Sequence, residues 1–222
     1  MRARWAVVAA GVPVELREVV LSSKPTEMLA ASSKGTVPVL IDVDSRVIDE
    51  SLDIMLWALR QSDPARWLVP QAGALDEMLR LIAQCDGEFK FNLDRYKYPQ
   101  RFGVVDANTH REAAANYLFA LEARLQTNAY LFGARTGLAD IAIAPFVRQF
   151  ALTDSTWFNQ QSWSALQRWL LALTSSEVFA AVMTKYAPWE TGDAPLYFAN
   201  CNSVSSHATA QSASFARPPC SW

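Results

Sequence analysis

The residues best placed to do chemistry stand in one triplet, Asp49-Glu50-Ser51, where the sequence turns helical. Leu52, Met55, Leu56 and Leu59 follow at helical spacing, and Ser51 is placed to cap the helix. A helix start leaves backbone N–H groups unpaired and carries the positive end of the helix dipole. Those groups and the Ser51 hydroxyl would hold a carboxylate, while Glu50 would take an ammonium, so the triplet suits a zwitterion. A plain N-cap fits the same residues. Upstream, Val37-Pro38 opens a strand. Proline lacks the ladder donor and belongs at a strand's first residue or in a turn, with a trans or a cis bond. In the cis form the Val37 N–H and C=O would turn outward, free to pair with an extended peptide as an added strand does.

The remaining reactive groups do not gather. Three cysteines, at 85, 201 and 220, are odd in number and widely spaced, which fits a reducing compartment better than a disulfide framework. With only two histidines beside them, a metal cluster is not expected. Cys85, near Leu81 and Ile82, reads as a packed core thiol. "EFKFNLDRYKYPQRF" interleaves bases with aromatic residues; structural or subunit contacts, a pocket lining and a stacking surface for nucleic acid all fit it. Lys plus Arg (20) nearly balances Asp plus Glu (22), so charge gives no reason to expect nucleic acid or a membrane surface. No apolar run approaches the ~20 residues that span a bilayer.

These residues sit on a chain that changes period. In 1–62, short strands mix with helices. The opening helix carries Trp5, Val8, Ala9 and Val12 on its apolar stripe, with Arg2 and Arg4 off it, and ends at Gly11. "VPVELREVVL" reads as a strand and "KPTEMLAA" as a helical turn. Residues 38–41 and 46–48 form a hairpin across an Asp-Ser turn. Two prolines and a glycine mark 63–73 as a linker. From 74 to 191 the pattern is helical throughout, with Pro145 as a kink inside one helix. Residues 192–222 are Ser- and Ala-rich, aperiodic, and expected to form a disordered tail.

Four stretches, "RARWAVVAAGVPVELREVVLSSKP", "SSKGTVPVLIDVDSRVIDESLDIMLWAL", "GLADIAIAPFVRQFA" and "WLLALTSSEVFAAVMTKY", in this order resemble the glutathione S-transferase family. The resemblance implies a thioredoxin-like α/β domain followed by an all-α bundle. It implies a cytoplasmic homodimer that uses glutathione and a small electrophile, with no metal, nucleic acid or membrane partner. It implies the cis form of Val37-Pro38, with Val37 pairing to the cysteinyl part of glutathione. Glu50 and Ser51 would hold the γ-glutamyl end and Lys34 would reach the glycine carboxylate. Arg95, Tyr96 and Tyr98 would face the electrophile's cleft. Asp140 matches the carboxylate of a capping box that starts a bundle helix. Here the cap is Gly137, with Thr136 one residue early, so the reciprocal hydroxyl bond is lost at a cost below about 1 kcal/mol.

The resemblance also places a central first strand, and the turn bearing the catalytic Tyr, Ser or Cys, immediately ahead of Met1. The sequence begins after both. Without that strand its two neighbours would expose unpaired backbone groups. An upstream segment is the expected source of the strand, with "APLYFAN" (194–200) as the alternative. The implied activity is conjugation of glutathione to electrophiles or glutathione-dependent thiol exchange. The alternative is a non-catalytic binding or scaffold module on the same fold.

Overall fold

The computed structural model describes residues 1–198. Helix α1 (Arg2–Ala10) buries Ala3, Trp5, Ala6, Val7 and Ala10. Gly11 ends it in the left-handed region (φ 66°), where an L side chain would be strained. Its N–H donates to Val8 O at 3.1 Å and that of Val12 to Val7 O at 3.3 Å. Strand β1 (Val14–Glu15) and helix α2 (Thr26–Ala31) follow. Strands β2 (Leu40–Ile41) and β3 (Val47–Ile48) form the expected antiparallel hairpin, Leu40 opposite Ile48. The Asp42 carboxylate fixes its turn by accepting from the Asp44 and Arg46 N–H groups. Helix α3 (Ser51–Gln61) then packs along α1 and buries Ile54, Met55, Ala58 and Leu59.

The rest is helical. Helix α4 (Leu75–Gln84) runs through a π turn (Cys85–Phe89) into α5 (Lys90–Lys97), so the long helix read from sequence is one rod with an extra residue wound into it. Then come α6 (Ala107–Thr127), α7 (Leu138–Thr153), α8 (Ser155–Gln160), α9 (Ser164–Thr174) and α10 (Glu177–Val182). Buried Pro145 lies inside α7. Two carboxylates that have no cationic partner among the described residues hold this half together. Asp140, fully buried, accepts from the Gly137 N–H (2.8 Å), the Leu131 N–H (2.9 Å) and Trp169 Nε1 (2.7 Å). Glycine returns no side-chain bond, as expected; the Asp140 N–H instead reaches the Gly137 carbonyl at 3.1 Å. Glu122 of α6 caps the start of α9 from outside, taking the Leu166 N–H at 2.7 Å. Both spare backbone donors at helix starts that would otherwise be buried unpaired.

The strand expected over 12–21 shortens to Val14–Glu15, and Val8, Ala9 and Val12 of the expected α1 stripe are only partly buried. Two further differences from the sequence reading join distant segments. Arg2, placed off the apolar stripe of α1, is 5% exposed. Its guanidinium pairs with Asp86 of the π turn (2.6 Å), bonds the Ala142 carbonyl and lies over the Phe146 ring, which together offset much of the hydration it loses. The second concerns the tail expected from residue 192. Strand β4 (Tyr197–Phe198) pairs antiparallel with β1, Val14 opposite Phe198. The Leu16 N–H adds a bond to Leu196 O at 2.7 Å, and the Trp189 N–H one to Glu18 O at 2.8 Å. The edge of β1 needs partners for its polar groups, and Phe198 brings a side chain that is 5% exposed against Tyr186. Among the described residues the β1–β4 and β2–β3 pairs form separate two-stranded sheets. Residues 199–222, with the end of the 194–200 stretch and Cys201, His207 and Cys220, lie outside the described residues.

Candidate functional site

The triplet and the Val37-Pro38 dipeptide are carried by different elements. The chain enters β2 through a cis Val37-Pro38 bond, as the resemblance implied. Val37 is 45% exposed, and among the described residues neither its N–H nor its C=O has a hydrogen-bond partner. A backbone amide left open at the mouth of a strand is a place where an extended ligand can pair.

Glu50 and Ser51 stand at the start of α3. Glu50, not Ser51, occupies the N-cap, and Ser51 is the first helical residue. Neither side chain caps the helix. The first helical bond runs from the Ile54 N–H to Glu50 O (3.0 Å), so the N–H groups of Ser51, Leu52 and Asp53 lack intrahelical partners. The Ser51 hydroxyl is likewise unengaged among the described residues. The free donors and the hydroxyl therefore sit together at the positive end of a helix whose far face is buried on α1.

Lys34 is drawn into the same place. It projects from a tight turn closed by the Gly35 N–H on Ser32 O (3.1 Å), with Gly35 at φ 57°. Its Nζ donates to Glu50 Oε1 at 2.8 Å and to Asp49 Oδ1 at 3.0 Å. Asp49 also accepts from the hydroxyl of buried Ser32 at 2.9 Å. The bond to Glu50, then that to Asp49, raises the Lys34 ammonium above its ordinary pKa. Lys34 first and Ser32 second hold the Asp49 carboxyl below its ordinary range. Asp49 and Ser32 were not assigned a part from sequence. Their signal is one of charge complementarity, a lone lysine facing an acidic pair, and it is spread over segments far apart in the chain.

The other expected residues separate. Tyr96 is 8% exposed and packs on Phe150 with ring centroids 5.2 Å apart; burial, then nearby Asp154, raises its hydroxyl pKa. Arg95 stacks over the Phe91 ring at 3.4 Å and over Phe102 at 4.7 Å, while Tyr98 is exposed beneath Lys97. The Cys85 thiol is fully buried, and desolvation pushes its pKa up to about 12. It stays protonated and out of reach of solvent, as a packed thiol should. Two cavities, about 460 Å³ between Glu77 and Arg124 and about 210 Å³ between Leu16 and Trp189, contain none of the residues singled out from sequence. Among the described residues no group of His, Cys, Asp and Glu could hold a metal ion, and no helix is long and apolar enough to cross a membrane.

Comparison with known proteins bears on the two halves of the fold. Residues 1–67 match the glutathione S-transferase N-terminal domain, and residues 85–177 match the glutathione S-transferase C-terminal domain. No curated protein matches the sequence significantly. Among solved structures, the apo form of a glutathione S-transferase III is 24% identical with a TM-score of 0.65, covering 84% of this chain and 93% of its own. A glutathione transferase family member from Pseudomonas fluorescens, with two glutathione bound, is 16% identical with a TM-score of 0.70, over 82% and 86%. A glutathione S-transferase I bound with lactoylglutathione is 21% identical with a TM-score of 0.66, over 82% and 91%.

Proposed function

Because the chain belongs to the glutathione S-transferase family, we propose that its α/β half binds glutathione and that the protein conjugates the tripeptide to electrophiles or exchanges thiols with it. The observation that carries this reading is the pairing of an open Val37 backbone with the unengaged start of α3. An extended peptide would lie along Val37, its γ-glutamyl carboxylate on the Ser51 hydroxyl and helix N–H groups, its ammonium on Glu50. Lys34 would meet the glycine carboxylate. On the electrophile's side we retain Tyr98, which is exposed, and Arg95, which is half-buried, and set aside Tyr96, which is buried. We further propose a cytoplasmic homodimer.

A second reading is a binding or scaffold module of the same fold, and Cys85 bears on it only by removing one route of thiol exchange. This thiol is packed in the core with its pKa raised, so it supplies no nucleophile or mixed-disulfide partner. A melt of the full chain with and without millimolar glutathione tests the binding common to both readings. A ligand present at a hundred times its Kd adds about 2.7 kcal/mol, and the midpoint should rise accordingly. An unmoved midpoint in a cooperative melt overturns the glutathione assignment. Conjugation of a chromogenic electrophile by the same sample then separates the enzyme from the module.

A further inference from the structure

In the free chain the ammonium of Lys34 pairs with the carboxylate that a γ-glutamyl ammonium would need, 2.8 Å from Glu50 Oε1. The two acidic partners of Lys34 are not equivalent. Asp49 is tied by the hydroxyl of Ser32, a side chain anchored inside the fold, and only about a quarter of its own side chain is exposed. The Glu50 side chain is 64% exposed and makes no other bond among the described residues. Asp49 is therefore a fixed post and Glu50 a free arm. We infer that Lys34 is a resident counter-ion that a ligand ammonium displaces from Glu50, pivoting on Asp49, and that the site thereby selects ligands with a second, distal carboxylate for Lys34 to take up. The inference rests on the glutathione reading and adds a specificity rule to it.

The physical reason is one of matched exchange. A ligand with an ammonium but no distal anion breaks the Lys34–Glu50 pair and returns nothing to Lys34 beyond its remaining bond to Asp49. A ligand with both charges breaks one ion pair and forms two. Lys34 lies three residues before Val37, on the turn that leads the chain to the open backbone, so it reaches the same ligand. The pair is solvent-exposed, which limits the effect to a severalfold change in affinity.

The experiment is calorimetric titration of the wild type and Lys34→Met with two probes, glutathione and glutathione amide, whose glycine carboxylate is a neutral carboxamide. The wild type should bind glutathione about fivefold more tightly than the amide. In Lys34→Met the amide should bind about threefold more tightly than it does to the wild type, because Glu50 is vacated, and the preference for glutathione should shrink toward one. Gaining affinity on losing a cation is not what a plain carboxylate contact would do. If the amide binds Lys34→Met no better than the wild type, the exchange is overturned while the glutathione site stands. If the wild type binds neither probe, the glutathione reading itself falls. Asp49→Asn, which cuts the post but keeps the ammonium, should weaken glutathione more than the amide; equal losses would also overturn the pivot.

Discussion

The two halves of the molecule are built to different standards of burial. Between Gly11 and Asp53 no apolar side chain is buried among the described residues; Ser32 is the one buried side chain there. Val37, Ile41, Val43 and Val47 of the hairpin region are exposed. Helix α7 by contrast buries Leu138, Ile141, Ile143, Val147 and Phe150, and α9 adds the fully enclosed Trp169. The candidate site spans the difference. Glu50 and Ser51 ride on α3, whose inner face is locked on α1, whereas Val37 and Lys34 are held by a turn and a two-stranded hairpin. A segment with few buried contacts opens at low free-energy cost. The proposed ligand recognition would thus be shared between a rigid wall and a pliable one.

The contrast can be broken at its strong end first. Trp169→Ala removes an enclosed ring and a donor to Asp140, and should cost about 4 kcal/mol in denaturant unfolding. A loss under about 1 kcal/mol would mean that the helical half is not the stabilising one. The second test is pH. Burial pushes Asp140 up to about 6 from 3.8, against the pull of its donors from Leu131, Gly137 and Trp169. The folded pKa lies above the unfolded one, so its stabilising contribution is complete below about pH 3.8 and is lost as the pH rises through about 6. Relative to Asp140→Asn, the wild type should lose about 3 kcal/mol between those limits. A difference between the two proteins that stays flat with pH would show that the three donors cancel the burial. The smallest change belongs to the hairpin. Val43 is 99% exposed, and Val43→Ser should leave the unfolding midpoint within about 0.5 kcal/mol of the wild type. A larger loss would place a hidden contact on the pliable wall.

Where the sequence was legible, the reason was a long unbroken period. The helices of the second half and Pro145 within α7 follow from spacing, while the Gly137–Asp140 start was implied by the resemblance. The antiparallel hairpin followed from its turn residues, and the Glu50-Ser51 helix start from the change of period. Arg2 was not legible, because its partners Asp86 and Ala142 lie far along the chain and only docking brings them to it. Nor was Tyr96. The π turn winds one extra residue into the rod, which rotates every later side chain by about 100°, so the phase of α4 does not carry into α5. The Lys34–Glu50 pair escaped for a different reason. Each residue had an assigned ligand partner in the resemblance, and only the folded geometry shows that in the free chain they partner each other.

The pairing of β1 with β4 joins residues from opposite ends of the described chain. During synthesis, Val14 emerges from the ribosome long before Phe198 exists. The first half is thus made early but completed late. Among the described residues its strand has β4 as its one sheet partner, a segment made after α10. Long-range pairings of this kind are slow, and open edges held that long are where nascent chains associate with each other or with chaperones. The order of translation leaves the β1–β4 pairing among the last contacts that the α/β half can form.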